Sequence, residues 1–336
     1  MDTKIFKKID SAAISFAADV IKSSGLVAFP TETVYGLGAN ALDASASEKI
    51  YKAKGRPSDN PLIVHIANPE DAEKYCVTSP IYYKLAEKFM PGPLTVIMPK
   101  KDIVPFKTTG GLDSVAIRVP SHPIAHALIE AAGLPIAAPS ANISGKPSPT
   151  TFAHIENDLV GRADVLLDGG DCIIGLESTI ISLCSESEIK LLRPGAVTVE
   201  MLREICPYIT IDPSITEKYD GVPLAPGMKY RHYAPEAPLK ILDGSDEKVY
   251  DFIRCRKNCG ILCFESDAEL LAYPHSHAFG SKDSPETQAH ELFACLRLFD
   301  NEDVSEIYAR MPSTKGIGLA VFNRLIKAAG YEIIKL

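Results

Sequence analysis

The chain has 336 residues, a formal net charge of −8, 46% hydrophobic and 23% charged residues, the profile of a globular protein with room for two cores. Divided near residue 208 it carries 20 Lys and Arg against 24 Asp and Glu on one side and 15 against 19 on the other, so each half sums to −4 and neither is a broadly basic nucleic-acid module. No apolar run approaches the roughly 18 residues of a membrane span, and the charged first ten residues have no apolar stretch behind them, so the expected compartment is the cytoplasm.

Through the first 208 residues, short apolar runs rich in β-branched residues alternate with helical stretches, which predicts an α/β layer architecture. In chain order the pattern predicts a helix over 12–22, a strand over 26–29 and a helix over 46–54. That second helix starts at the capping-box spacing of Ser45 and Glu48 and stops at Gly55. A strand over 62–66, a helix over 80–89, strands over 95–98 and 115–119 and a helix over 123–132 follow. Strands over 136–138, 165–167, 179–183 and 190–192 and a helix over 199–204 complete the domain.

Residues 209–238 are proline-rich and aperiodic and read as a linker. The run Lys229, Tyr230, Arg231, His232, Tyr233 is too charged and aromatic for a bare spacer, so a ligand-contacting role is expected there. From 239 to 336 the alternation resumes, with strands over 239–242, 260–264 and 306–309 and helices over 285–299 and 315–329, a second and smaller α/β domain. The eight cysteines lack the spacing of a disulfide framework, which suits a reducing compartment, and Cys255, Cys259 and Cys263 are followed by no fourth ligand of zinc-like spacing.

Two phosphate-binding patterns are near matches that fail on context. Gly36-Leu-Gly-Ala-Asn-Ala41 fits GxGxxA, yet the following helix signal begins several residues later and no acidic ribose partner stands about 20 residues on. Gly145-Lys146 lacks both the leading glycine and the trailing hydroxyl of a P-loop. More informative is Lys54-Gly-Arg56, where Arg56 lies beyond a helix stop and before Pro57, placed to offer its planar fork to a phosphate or carboxylate. Ser140-Ala-Asn142 follows a strand of small residues that permits close backbone approach and offers compact hydrogen-bonding groups. Thr33, His65 and Arg118 stand in or beside apolar strands, and an arginine within a β-branched run must find an anion or reach a cavity.

Taken together, Pro30-Thr-Glu-Thr-Val-Tyr-Gly-Leu-Gly38, Lys54-x-Arg56, Ser140-x-Asn142 and the linker run Pro-Gly-Met-Lys-Tyr-Arg-His-Tyr-Ala-Pro resemble the YrdC-like threonylcarbamoyl-adenylate synthases in their long, two-domain form. The resemblance implies a YrdC-like twisted open α/β sheet as catalytic domain and a smaller Rossmann-like α/β domain at the C-terminal end. It also implies nucleotidyl transfer: L-threonine, bicarbonate and ATP giving L-threonylcarbamoyl-AMP and pyrophosphate. A separate transferase would then place the threonylcarbamoyl group on the adenosine next to the anticodon of tRNA.

Carried over by motif, the resemblance places Arg56, Asn60, Ser114, Ser140, Ser148, Arg193 and His232 around ATP, and Thr33, His65, Arg118, Ala138 (through its backbone) and Ser178 around L-threonine. Lys54 and Asn142 complete the KxR and SxN signatures, with Lys54 expected on phosphate. Magnesium is expected to travel on the triphosphate, since no acidic cluster would cage it, and no covalent enzyme intermediate is expected. The linker is expected to fold back over the nucleotide and exclude water. The alternatives are a double-stranded RNA-binding module of the same fold, for which direct RNA contact would need a local patch, and a carbamoyl transferase, whose zinc-finger cysteines are missing here.

Overall fold

The computed structural model describes residues 2–219, 221, 223–228 and 232–336. Its first unit runs β1 (Lys4–Phe6), α1 (Ser11–Lys22), β2 (Val27–Phe29), β3 (Gly36–Asn40), α2 (Ala44–Lys54), β4 (Ile63–His65), α3 (Pro80–Phe89), β5 (Leu94–Pro99) and β6 (Ser114–Arg118). It continues through α4 (Pro123–Ala132), β7 (Ile136–Ala137), α5 (Phe152–Leu159), β8 (Val165–Leu167), β9 (Thr179–Leu183), β10 (Glu188–Arg193), α6 (Val199–Arg203) and β11 (Tyr208–Ile211). Among the described residues these strands form one mixed eleven-stranded sheet in the order β1-β8-β2-β3-β7-β4-β6-β5-β9-β10-β11.

The second unit comprises β12 (Leu239–Asp243), α7 (Asp246–Arg254), β13 (Cys259–Cys263), α8 (Glu265–Leu271), β14 (Ser276–Ala278), α9 (Pro285–Leu298), β15 (Glu306–Arg310), α10 (Gly318–Ala328) and β16 (Ile333–Lys335). Its five strands are all parallel, in the order β14-β13-β15-β12-β16. A helix in every connection covers such a sheet, as right-handed crossovers require. The fold is therefore α/β in both parts, as the alternation predicts.

The differences from the sequence reading have local causes. Strand β3 coincides with the GxGxxA run: it pairs antiparallel with β2 and β7, so the glycines lie inside a sheet and not at a helix start. A Cβ on Gly38 would stand 2.6 Å from both Ile136 and Phe29, so close packing explains this glycine and a phosphate does not. Helix α2 begins at Ala44, because the Asp43 carboxylate, and not Ser45, accepts from the Ser45 amide. The stop at Gly55 is as read, with a left-handed φ of 63°. Strand β11 pairs with β10, which carries the first sheet through Ile211, past the expected boundary at 208. The short elements β1, α5, α7, α8, β14 and β16 went unread because each spans at most a turn or two of apolar signal.

The two units are packed into each other. The apolar core under α9 and α10 takes in Val34 and Leu176 of the first unit and Tyr233 of the linker. Gly175 approaches α9 so closely that a Cβ would lie 2.5 Å from the backbone of His290. Arg297 of α9 reaches Asp158 of α5 at 2.7 Å and the carbonyl of Pro147 at 2.6 Å. No helix among the described residues is long and apolar enough to cross a membrane, and all eight cysteines are free.

Candidate active site

Sheet register creates the centre of the site. Arg118 lies opposite His65 across β4 and β6, and opposite Thr95 across β5 and β6. Residues in register share a face of the sheet, so the three polar groups form a row, and His65 and Arg118 of that row line a cavity that opens to solvent. The lining joins that row to Thr31, Tyr35, Lys54, Arg56, Ala138, Ser140, Asn142, Glu177 and Arg193, and to Pro226, Gly227, His232 and Tyr233 of the linker.

At one end stands Arg118, buried at the close of β6. Its Nη2 donates to Glu32 Oε1 at 2.7 Å and to Thr33 Oγ1 at 2.8 Å, while its Nε is buried without a partner. The second oxygen of Glu32 accepts from the Ser121 amide. Burial by itself would raise the Glu32 pKa, but the charge and hydrogen bond of Arg118 hold it below the usual carboxylate value. Thr33 does not itself line the cavity; it braces Arg118, and its neighbour Thr31 faces the space. His65 is pushed down to about 3, first by burial and then by the Arg118 charge, so it is neutral near pH 7. Its Nδ1 lies 3.1 Å from the Ile63 carbonyl, which can only accept; Nδ1 therefore carries the proton and Nε2 the lone pair. The Ala138 amide is spent on the Ile63 carbonyl, so a backbone contact from Ala138 to a ligand runs through its own carbonyl.

At the other end the KxR and SxN signatures meet. Lys54, at the end of α2, is buried and donates to the carbonyls of Ser140 (2.6 Å) and Asn142 and to Asn142 Oδ1. Where a phosphate contact was expected, three acceptors of the turn take up its donors, and burial followed by the Arg56 charge holds its pKa well below the usual lysine value. Ser140 Oγ donates to Asn142 Oδ1 at 2.5 Å, and Asn142 Nδ2 donates to the carbonyls of Ile143 and Lys146, closing the turn. Arg56 is half-exposed at the rim, steadied by the carbonyls of Asn60 (3.3 Å) and Pro61 (3.1 Å). Asn60 thus lies behind Arg56, outside the lining, with its side-chain oxygen buried and unpartnered.

A third cluster closes the far wall. Arg193 donates to the Ser178 carbonyl at 3.0 Å and to its hydroxyl at 3.1 Å, and Ser178 Oγ lies 2.7 Å from Thr95 Oγ1. Ser148 donates to Glu177, whose other oxygen accepts from Arg324 of α10. Ser148 and Ser178 therefore stand one bond behind the lining. Ser114, at the opposite end of β6 from Arg118, is not brought to the cavity; it lines a separate groove with Ile97, Leu192 and Leu224. His232 and Tyr233 come from the linker, and Tyr233 packs on Phe293 of α9 with ring centroids 5.1 Å apart. The expected contacts of Lys229, Tyr230 and Arg231 lie outside the described residues.

Three participants carry no role in the motif reading: Glu32, Glu177 and Arg324. Glu32 sits inside the quoted Thr-Glu-Thr run, and an acid enclosed by Pro30 and Val34 was its only signal. Glu177 is likewise an acid at the start of an apolar run, whereas Arg324 on a helix of the other unit had no local signal.

Comparison with known proteins shows the family. Residues 19–195 match the Sua5_yciO_yrdC family model, described as telomere recombination, and residues 197–330 match the model for the C-terminal domain of threonylcarbamoyl-AMP synthase. The threonylcarbamoyl-AMP synthase of Pyrococcus abyssi is 46% identical over 98% of both chains. This chain belongs to the Sua5 family of two-domain threonylcarbamoyl-AMP synthases. The Bacillus subtilis family member is 46% identical over 96% of this chain and 94% of its own. The crystal structure of P. abyssi Sua5 complexed with L-threonine superposes with a TM-score of 0.90 at 44% identity, covering all of this chain and 99% of that one. Within this chain Arg118, His65 and the KxR and SxN turns share a single cavity, whose remaining wall comes from Pro226, Gly227, His232 and Tyr233 of the linker.

Proposed function

We propose that this chain condenses L-threonine, bicarbonate and ATP into L-threonylcarbamoyl-AMP, releasing pyrophosphate and water. The observation that carries the reading is one cavity with two chemically different ends: Arg118 with neutral His65 at one, and Arg56 with the Lys54-braced SxN turn at the other. The first end suits an amino-acid zwitterion. The guanidinium takes the carboxylate through the edge that Glu32 and Thr33 leave unspent, and His65 Nε2 and the Ala138 carbonyl offer acceptors to the amine or hydroxyl. With a pKa near 3, His65 orients a donor without taking its proton at neutral pH.

The chemistry then follows from proximity. The threonine ammonium first gives up one proton to solvent; the neutral amine then attacks the bicarbonate carbon, and the bicarbonate hydroxyl leaves as water with a second amine proton, giving a carbamate. A carbamate oxygen attacks the α-phosphorus, the bond to the bridging oxygen breaks, and pyrophosphate departs with the electron pair. Holding the two ends in one cavity replaces encounters between three solutes, while Arg56 and the Arg193 charge stabilise the departing pyrophosphate. Magnesium enters as part of the substrate, on the triphosphate. Both carboxylates at the site are committed to arginines, and no group of three or more candidate ligands occurs among the described residues.

His232 and Tyr233, with Pro226 and Gly227, form the roof of the cavity and would keep water from a hydrolysable product. The product passes to a separate transferase that modifies tRNA, and free cysteines suit work in the cytoplasm. The test is chromatographic detection of threonylcarbamoyl-AMP from purified protein, with each of the three substrates omitted in turn and no RNA present. Product that forms without threonine or bicarbonate, or ATP use that depends on RNA, refutes the reading.

A further inference from the structure

One wall of the cavity carries an acid that is paired across the domains. Glu177 lines the cavity and is buried, so its carboxylate would face an incoming polyanion at short range. Arg193, on the same wall, gives its nearest bonds to Ser178 and does not hydrogen-bond the Glu177 carboxylate. The ion pair is made by Arg324, fully buried on α10: its Nε donates to Glu177 Oε2 at 2.8 Å and its Nη2 to the Glu177 carbonyl at 3.2 Å. Its Nη1 reaches the Pro194 carbonyl at 2.8 Å, next to Arg193. Flanking residues of the same helix add to the graft, with Asn323 Nδ2 on the Ile215 carbonyl at 2.7 Å and Lys327 on the Gly227 carbonyl of the linker.

We propose that Arg324 is a positioning residue for the synthase reaction, supplied by the C-terminal domain, which neutralises Glu177 and so lets Ser148 and the Ser178–Arg193 pair receive ATP. The inference rests on the synthase reading above. Glu177 uses its other oxygen to hold the Ser148 hydroxyl, and it needs its charge cancelled to do so without repelling phosphate. The pair links two segments 147 residues apart, so the C-terminal domain braces a lining residue of the ATP site from behind. Without Arg324, a buried Glu177 keeps only the weaker pull of the Arg193 charge and has two options: remain incompletely balanced beside the triphosphate, or take up a proton, as poorly compensated buried carboxyls do.

These options make the idea testable with four full-length variants, Arg324→Gln, Arg324→Lys, Glu177→Gln and the double Glu177→Gln/Arg324→Gln, assayed for threonylcarbamoyl-AMP across ATP concentrations. Arg324→Gln is expected to raise the ATP KM by about tenfold or more, the threonine KM changing far less. The ATP KM should fall again as the pH is lowered from about 8 to about 6, because protonation removes the Glu177 charge. Arg324→Lys keeps the charge but not the planar fork, so its ATP KM is expected to fall between wild type and Arg324→Gln, and the double variant is expected to recover most of the loss because no net charge is left unpaired. If Arg324→Gln does not fold, the folded double variant decides alone: near-wild-type ATP KM supports the proposal. An ATP KM unchanged in Arg324→Gln, an ATP KM in the double variant raised by tenfold or more, or a lysine variant as impaired as the glutamine one overturns it. Wild-type protein that makes no threonylcarbamoyl-AMP would instead overturn the synthase reading.

Discussion

Replacing Lys54 by methionine separates two roles that a motif cannot tell apart. Methionine keeps much of the apolar stem and removes the ammonium. If that ammonium waits for phosphate, its removal from an almost fully buried site relieves a desolvation penalty, and the ligand-free protein becomes more stable. In this structure the ammonium already serves Ser140 O, Asn142 O and Asn142 Oδ1. Two main-chain carbonyls left without a donor in the interior cost about 1–3 kcal/mol each, part of which is offset by no longer burying a charge. The expected net loss is therefore about 2 kcal/mol. Urea unfolding of the ligand-free protein reads the sign directly, as a lower midpoint at unchanged slope. Catalytic efficiency with ATP should fall as well, because the turn that presents Ser140 and Asn142 loosens. A midpoint equal to or above wild type would refute the argument and return Lys54 to the phosphate.

Acid should unfold the protein through its neutral histidines. Burial lowers His65 and His232 to about 3 and His154 to about 4, from an ordinary 6.5, so below pH 6.5 the unfolded chain binds protons that the folded one does not. Their contribution is intact above pH 6.5 and is lost as pH falls toward those lowered values, at up to about 1.4 kcal/mol per pH unit for each. Unfolding free energies measured between pH 6.5 and about 4.5 check this, and a flat profile refutes it. Arg118→Ala should raise the threonine KM by about tenfold or more and destabilise the fold by about 3 kcal/mol, since Glu32 keeps a buried charge. Adding Glu32→Gln should recover stability without recovering threonine binding, read by unfolding and initial rates. Gly38→Ala should cost about 1–3 kcal/mol by overpacking against Ile136 and Phe29, and an unchanged melting temperature would show that the sheet gives way there.

What the chain order settles by itself is the kind of chemistry and the local elements. Alternation of β-branched runs with amphipathic stretches marks most of the larger strands and helices, and Lys54-x-Arg56 beside a helix stop and Ser140-x-Asn142 after a small-residue strand read as anion-binding turns without coordinates. Gly36–Asn40 resisted that reading because a strand of glycine, leucine, alanine and asparagine has no β signature of its own; its neighbours β2 and β7 impose the extended form. The tertiary structure alone decided which polar groups are spent and which face the ligand. Lys54 finds its acceptors 88 residues away and Arg324 reaches Glu177 across 147 residues. His65 meets Arg118 only because β4 and β6 pair in one register. Local pattern encodes periodicity and capping, which act over a few residues. Pairing of buried charges depends on strand register and domain docking, which act over the whole chain, and so Lys54 holds the SxN turn, Thr33 supports Arg118, and the C-terminal domain braces Glu177 from behind the lining.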